Sequence, residues 1–129
     1  MCIRDRYVTA EALGREMFEA ASLALGRHGQ PCYGIVHGFK GSVVFHDRPA
    51  TNYREFLAID TAVSHLHYLV QYNNGVFNAP WAKTESWTLS VMHTSADAER
   101  FVANVDTVGA MLATVTDRRS NLFAVGSVT

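Results

Sequence analysis

The sequence predicts an α+β fold in which three helices cover one face of a small antiparallel sheet. Apolar residues recur at helical spacing in three segments, about 9–27, 53–72 and 95–113. Between these segments, β-branched and aromatic residues gather in short runs at 32–37, 42–46 and 87–93, and a short extended piece follows the second helix at 76–78. Strands joined by a hairpin and followed by helices favour one layer of each kind.

The first helix is predicted to begin after Thr9 as its N-cap and to end before Gly29 and Pro31. Its inward stripe comprises Ala10, Leu13, Met17, Ala20, Ala21 and Ala24. The connector Gly38-Phe39-Lys40-Gly41 is short and bounded by glycines, which predicts a hairpin between the first two strands.

The second helix is predicted as one continuous element that begins after Asn52, which has Glu55 at capping-box spacing, and ends before Gly75. Residues 79–86 are expected to form an irregular loop through Pro80. Thr94 is the predicted cap of the third helix. Its inward residues are Phe101, Val102, Val105, Val108 and Leu112.

At 129 residues the chain has room for one domain. Residues 1–6 are expected to be a leader foreign to the natural protein, residues 7–116 the folded unit and residues 117–129 a loose tail. Acidic and basic residues are mixed and sum to a net charge of −1, which argues against a nucleic-acid partner. No apolar run suits a membrane span, and without the leader Cys32 is a lone cysteine, as expected of a cytoplasmic protein.

Short motifs by themselves indicate no chemistry. The six histidines include His65 and His67, whose spacing puts them on divergent helix faces, so no metal site is predicted. The loop from Gly38 to Gly41 has the spacing of the KH-module loop that clamps nucleic acid, but a hairpin explains it more simply. Cys32 and the serines lack the surroundings of a nucleophile.

The stretch from Tyr72 to Phe101 reads YNNGVFNAPWAKTESWTLSVMHTSADAERF. It resembles the C-terminal signature of class III pyridoxal-phosphate (PLP) aminotransferases of the glutamate-1-semialdehyde aminomutase branch. The matching pieces, together with an upstream glycine turn at 38–42, run in the family's order over roughly residues 8–113. They are Gly75-Val76-Phe77, Pro80, Glu85, Leu89 to Met92, His93-Thr94 and the acidic pair Asp97 and Glu99.

The resemblance implies a C-terminal subdomain of a homodimeric parent that acts on an amino acid or an amine. PLP, its lysine and its phosphate contacts would belong to large and N-terminal domains missing from this chain, which alone would be inactive and would bind no cofactor. Glu85 matches a glutamate of the family's C-terminal loop and is the expected substrate-binding residue. Thr84-Glu85-Ser86-Trp87 departs from the Phe-Glu-Ala-Gly of the aminomutases, so transaminase and aminomutase activities both stay open.

Two other functions remain open from the sequence. One is a free-standing α+β ligand-binding module of the ACT or ferredoxin-like kind, which would need a complete sheet and its own ligand groove. The other is a KH-like nucleic-acid binder, which the net charge and Phe39 in the loop disfavour.

Overall fold

The computed structural model describes residues 3–78 and 83–115. The predicted tail from 117 onward and Pro80 lie outside these residues. The elements follow the order α1 (Ile3–Arg27), β1 (Tyr33–His37), β2 (Lys40–Val44), α2 (Tyr53–Leu57), α3 (Thr61–Asn73), β3 (Glu85–Thr88) and α4 (Ser95–Ala113). Within the described ranges, no helix is both long and apolar enough to cross a bilayer.

The three strands form an antiparallel sheet in the order β1-β2-β3, which confirms the predicted α+β class. His37 pairs with Lys40, so only Gly38 and Phe39 form the hairpin loop. Gly38 has a φ of 57°, which suits the first position of a type II′ turn. Because this loop is so tight, β2 begins at Lys40 and ends at Val44, two residues earlier than predicted.

Helix α1 begins well before Thr9, at Ile3, so the prediction of Thr9 as its N-cap is wrong. The Thr9 hydroxyl instead donates to the carbonyl of Asp5 one turn earlier, within the helix. Tyr7 contacts Phe39 of the hairpin, with ring centroids 4.8 Å apart. The C-terminal end is as predicted, since Gly29 takes the left-handed conformation with a φ of 67°.

The predicted second helix is broken into α2 and α3. Asn52 caps α2 as expected, accepting from the backbone N–H of Glu55 at 3.0 Å. Asp60 then caps α3 by accepting from Ala62 N at 2.8 Å. The carbonyls of Leu57 and Ile59 at the break accept from Lys83 Nζ at 2.7 and 2.6 Å, so a distant side chain satisfies the groups that the break leaves open.

The helices pack on one face of the sheet, which carries Gly34 and Val36, whereas Ile35 on the opposite face is 61% exposed. Helix α1 lies on β1 and β2, and α4 packs between α1 and α3. Phe101 joins α4 to β3 through an edge contact with Trp87 at 5.4 Å. The core contains Met17, Ala21, Leu25, Val43, Phe45, Val63, Val70, Trp87, Leu89, Ala98, Phe101, Val105, Val108 and Leu112.

A polar cluster is sealed within this core between α3 and α4. Gln71 is fully buried, and its amide nitrogen donates to the carbonyl of Phe101 at 3.1 Å and approaches His67 Nε2 at 3.0 Å. Asn104 Nδ2 donates to Gln71 Oε1 at 2.8 Å. These bonds fix the orientation of the Gln71 amide, so His67 Nε2 is an acceptor. The two helices are therefore held in one register by polar groups as well as by apolar packing.

Candidate functional site

A cavity of about 500 Å³ lies where the segment after α3, strand β3 and the first turns of α4 meet. Apolar side chains form its inner wall, and polar and charged groups from α4 and the turn before it lie at its rim. The inner wall includes Met17, Val76, Trp87, Leu89 and Phe101, the exposed Phe77 lies at the mouth, and the polar lining includes Asn78, His93, Asp97 and Arg100. A chamber with an apolar wall and a few polar groups is the usual form of a small-molecule site.

The end of α3 directs the chain into this cavity. Gly75 takes a φ of 82°, a conformation that favours glycine, and Val76 N donates to the Gln71 carbonyl at 2.9 Å. Phe77 follows and is 77% exposed, with its ring edge against Tyr72 at 6.0 Å. The Gly-Val-Phe segment therefore ends the helix and leaves an aromatic ring at the mouth of the cavity.

A tight turn after β3 orients His93. The backbone N–H of Ser90 donates to His93 Nδ1 at 2.9 Å, and the backbone N–H of His93 donates to the Ser90 carbonyl. Because Nδ1 accepts, the neutral ring carries its proton on Nε2. This turn also ends β3 at Thr88, earlier than the predicted strand.

The start of α4 carries a capping box, as the position of Thr94 predicts. The backbone N–H and the hydroxyl of Thr94 both donate hydrogen bonds to Asp97 Oδ2, at 2.7 and 3.1 Å. These hydrogen bonds hold the pKa of the Asp97 carboxyl below its usual value, with a smaller contribution from the positive charge of Arg100. The Asp97 carboxylate is therefore occupied chiefly in holding the helix end.

This lowered pKa predicts a pH dependence of stability. A carboxyl whose folded-state pKa is depressed stabilises the fold fully above its unfolded pKa, about 4, and this contribution disappears as pH falls through the folded value. We expect Asp97→Asn to flatten the loss of stability below about pH 4. Urea midpoints measured from neutral to acid pH would show this, with Glu99→Gln on the same helix as the charge control. An acid slope as steep as that of the unmodified chain would contradict the assignment.

The sequence predicts Glu85 in a loop, but Glu85 is the first residue of β3. Its backbone pairs there with Val43. The predicted irregular loop at 79–86 is wrong at Glu85 and Ser86, because backbone pairing with β2 extends β3 back to Glu85. The side chain of Glu85 lies outside what the structure describes. Its neighbours Ser86 and Trp87 line the cavity, so the backbone places Glu85 beside it.

The two lysines of the chain, Lys40 and Lys83, both lie outside the lining of the cavity. Lys83 is held by two backbone carbonyls, and Lys40 is an exposed residue at the start of β2. No lysine lines the cavity among the described residues.

The histidines lie apart. His37 ends β1, His46 hydrogen-bonds to the Arg48 carbonyl, and His65 and His67 diverge on α3 as their spacing predicts. Among residues 3–78 and 83–115, no three His, Cys, Asp or Glu side chains form a group that could hold a metal ion.

Comparison with protein-family models and with curated proteins finds no match for this chain. The assignment of the candidate site is therefore based on its geometry alone. Glu85 is the site residue that the sequence predicts, and His93 and Asp97 enter there only as matching pieces of the resemblance, whereas Arg100 and Met17 were not recognised as site residues. Arg100 lies one helical turn after Asp97, and this i, i+3 spacing was the signal that could have placed both on the same side of α4.

Proposed function

We propose that this chain is the C-terminal subdomain of a PLP-dependent aminotransferase or aminomutase that acts on an amino acid or an amine. The observation that carries this proposal is the composition of the cavity. Apart from Met17 of α1, its lining comes from 75–78, 86–89 and 93–101, and these lie within the one stretch that resembles the glutamate-1-semialdehyde aminomutase branch. The segments that carry the resemblance therefore meet around one chamber.

Two further features support a subdomain over a free-standing ACT or ferredoxin-like module. The three-stranded sheet leaves β1 and β3 as edge strands within the described part of the chain, whereas an independent module would close or cover its edges. Exposed apolar side chains, Phe77 at 77% and Met92 at 79%, lie near the cavity, as expected of a surface that packs on another domain. The glycine loop of the KH alternative joins two strands here.

In this proposal the chain forms one wall of a substrate cleft. The missing domains would bring PLP, which acts as the electron sink for amino-group transfer, together with the lysine that holds it. The residues of this chain would position and enclose the substrate. Glu85 would face the substrate, either by accepting a hydrogen bond from its amino group or by pairing with an arginine at the cleft.

The test is made in the longer protein encoded by the reading frame upstream of Tyr7. We expect that frame to encode a lysine-bearing PLP domain, and the purified protein to transfer amino groups. Glu85→Gln should leave PLP binding and the fold intact while changing KM, or the ranking of amino donors, because Glu85 is proposed to contact substrate and not cofactor.

Glu19→Gln, which changes an exposed glutamate on α1, is the matched control and should leave kinetics unaltered. An upstream frame without a PLP domain would refute the proposed function. Unchanged kinetics of Glu85→Gln across several donors would refute the role of Glu85 while leaving the fold assignment intact.

A further inference from the structure

We propose that the furrow between α1 and α4 docks an amphipathic helix of a partner protein, with basic residues flanking the apolar stripe of that helix. This furrow, the α1–α4 groove, lies between residues 13–27 of α1 and 95–106 of α4 and has a volume of about 390 Å³. Every residue that lines it belongs to one of these two helices. The proposal goes beyond the proposed function, because docking there needs neither PLP nor the missing domains.

The first argument is the shape of the groove. Its lining on α1 runs from Leu13 to Arg27, which at 1.5 Å per residue is about 21 Å, or about four helical turns. Helices pack with their axes about 8–10 Å apart, and small side chains at the contact permit the closer distances. Three of the six apolar residues of the floor are alanines, so a third helix can approach closely. The floor consists of Leu13, Met17, Ala20, Ala98, Val102 and Ala103.

The second argument is the sign of the charge along the rim. Glu16 of α1 and Glu99 of α4 are exposed, one on each wall. None of the ion pairs among the described residues involves either carboxylate. The cation of the lining, Arg27, pairs with Asp106 at 3.1 Å, and His28 contacts the same oxygen at 2.9 Å. The charge that the rim offers to a partner is therefore negative and comes from Glu16 and Glu99.

This negative charge selects the class of partner. Nucleic acids and anionic lipid surfaces carry phosphates, which the two carboxylates would repel. Lysine or arginine side chains of a partner would pair with Glu16 and Glu99 while the apolar stripe between them covers the floor. An amphipathic helix laid into a hydrophobic groove is a common mode of peptide recognition. The occupant that fits both the floor and the rim is therefore a basic amphipathic helix.

The probe is a fluorescently labelled synthetic peptide of lysine and leucine, about 14 residues long, with leucine at helical spacing. Its counterpart has glutamate in place of every lysine, and both are kept below the concentration at which they self-associate. Anisotropy is measured in about 0.15 M salt, where exposed charges more than about 8 Å apart are largely screened. We expect saturable binding of the lysine peptide, at least about tenfold tighter than that of the glutamate peptide.

Charge reversal tests the rim. Glu16→Lys combined with Glu99→Lys should weaken binding of the lysine peptide at least about tenfold and should strengthen binding of the glutamate peptide, because two attractive pairs become repulsive. The matched control combines Glu19→Lys with Asp47→Lys. It makes the same change of net charge at exposed positions outside the groove and should leave both affinities within about twofold.

Added bulk tests the floor. Ala20→Gln fills the groove without adding charge and should weaken binding of the lysine peptide at least about tenfold, whereas Ala12→Gln, at an exposed position of α1 outside the groove, should not. Circular dichroism and urea midpoints would establish that all variants remain folded. Equal binding of the two peptides, equal losses in a variant and its control, or the absence of saturable binding would each overturn the inference. A dimeric chain that Ala20→Gln converts to a monomer would also overturn it, by showing that a second copy occupies the groove.

Discussion

Replacing Gln71 with leucine should destabilise the protein by several kcal/mol although leucine has nearly the same volume. Gln71 is fully buried, and its amide contacts His67, Asn104 and the carbonyl of Phe101. A buried polar group that loses its partner costs roughly 1–3 kcal/mol, and leucine removes the partner of both Asn104 Nδ2 and His67 Nε2. The free energy of unfolding from urea titration at neutral pH would measure this loss.

A double-mutant cycle separates polar satisfaction from packing. Asn104→Leu alone leaves Gln71 Oε1 without its donor and should also destabilise. The double variant removes both partners of that bond, so its loss should be smaller than the sum of the two single losses. Leu69→Ala, at a partly exposed position of α3, controls for changes in the helix itself. Strict additivity, or a Gln71→Leu variant as stable as the natural chain, would show that the cluster does not hold α3 on α4.

The fold could be predicted from the sequence where local chemistry decides it. Helix α4 begins where predicted because its start is a capping box between Thr94 and Asp97, residues three apart in sequence. The hairpin was predicted from Gly38 and Gly41 for the same reason. The break between α2 and α3 was not predicted, although Asp60 caps α3 locally. Lys83, which donates to Leu57 O from 26 positions along the chain, also contributes there. The helical spacing of apolar residues does not reveal such a long-range contact.

The candidate site likewise has some residues that the sequence indicates and others that only the packing brings together. The resemblance pointed to the segment that carries Glu85, His93 and Asp97, and all three lie in or beside the structure around the cavity. Met17 enters the cavity wall from α1, far away in sequence, and Arg100 matters because of where Gly75 lies. The position of Met17 does not follow from spacing, whereas the i, i+3 spacing from Asp97 places Arg100 on the same side of α4. The cavity is a product of packing, so its volume could be found only in three dimensions.

Gly41→Ala should be among the most disruptive single-methyl additions in the chain. A Cβ at Gly41 would lie 2.3 Å from Cζ2 and 2.6 Å from Cε2 of Trp87, and 3.0 Å from the carbonyl oxygen of Ile35. Trp87 cannot simply rotate away, because it is 5% exposed and its ring packs against Phe101. Overpacking of this kind costs roughly 1–3 kcal/mol or more, and we expect the upper part of that range.

The matched control is Gly26→Ala in α1, where an added Cβ meets nothing within 4 Å. That change should stabilise by about 0.5–1 kcal/mol, since alanine favours helix over glycine. If the indole causes the clash at Gly41, Trp87→Leu should destabilise by itself but should remove most of the cost of Gly41→Ala when the two are combined. Thermal and urea unfolding of the four proteins of this cycle would decide it. A Gly41→Ala protein as stable as the natural chain, or one whose loss persists when the indole is absent, would show that Trp87 does not require the glycine. The loss of stability expected for Gly41→Ala therefore comes from displacement of the indole, and because Trp87 also lines the cavity, the same substitution should alter the shape of the cavity.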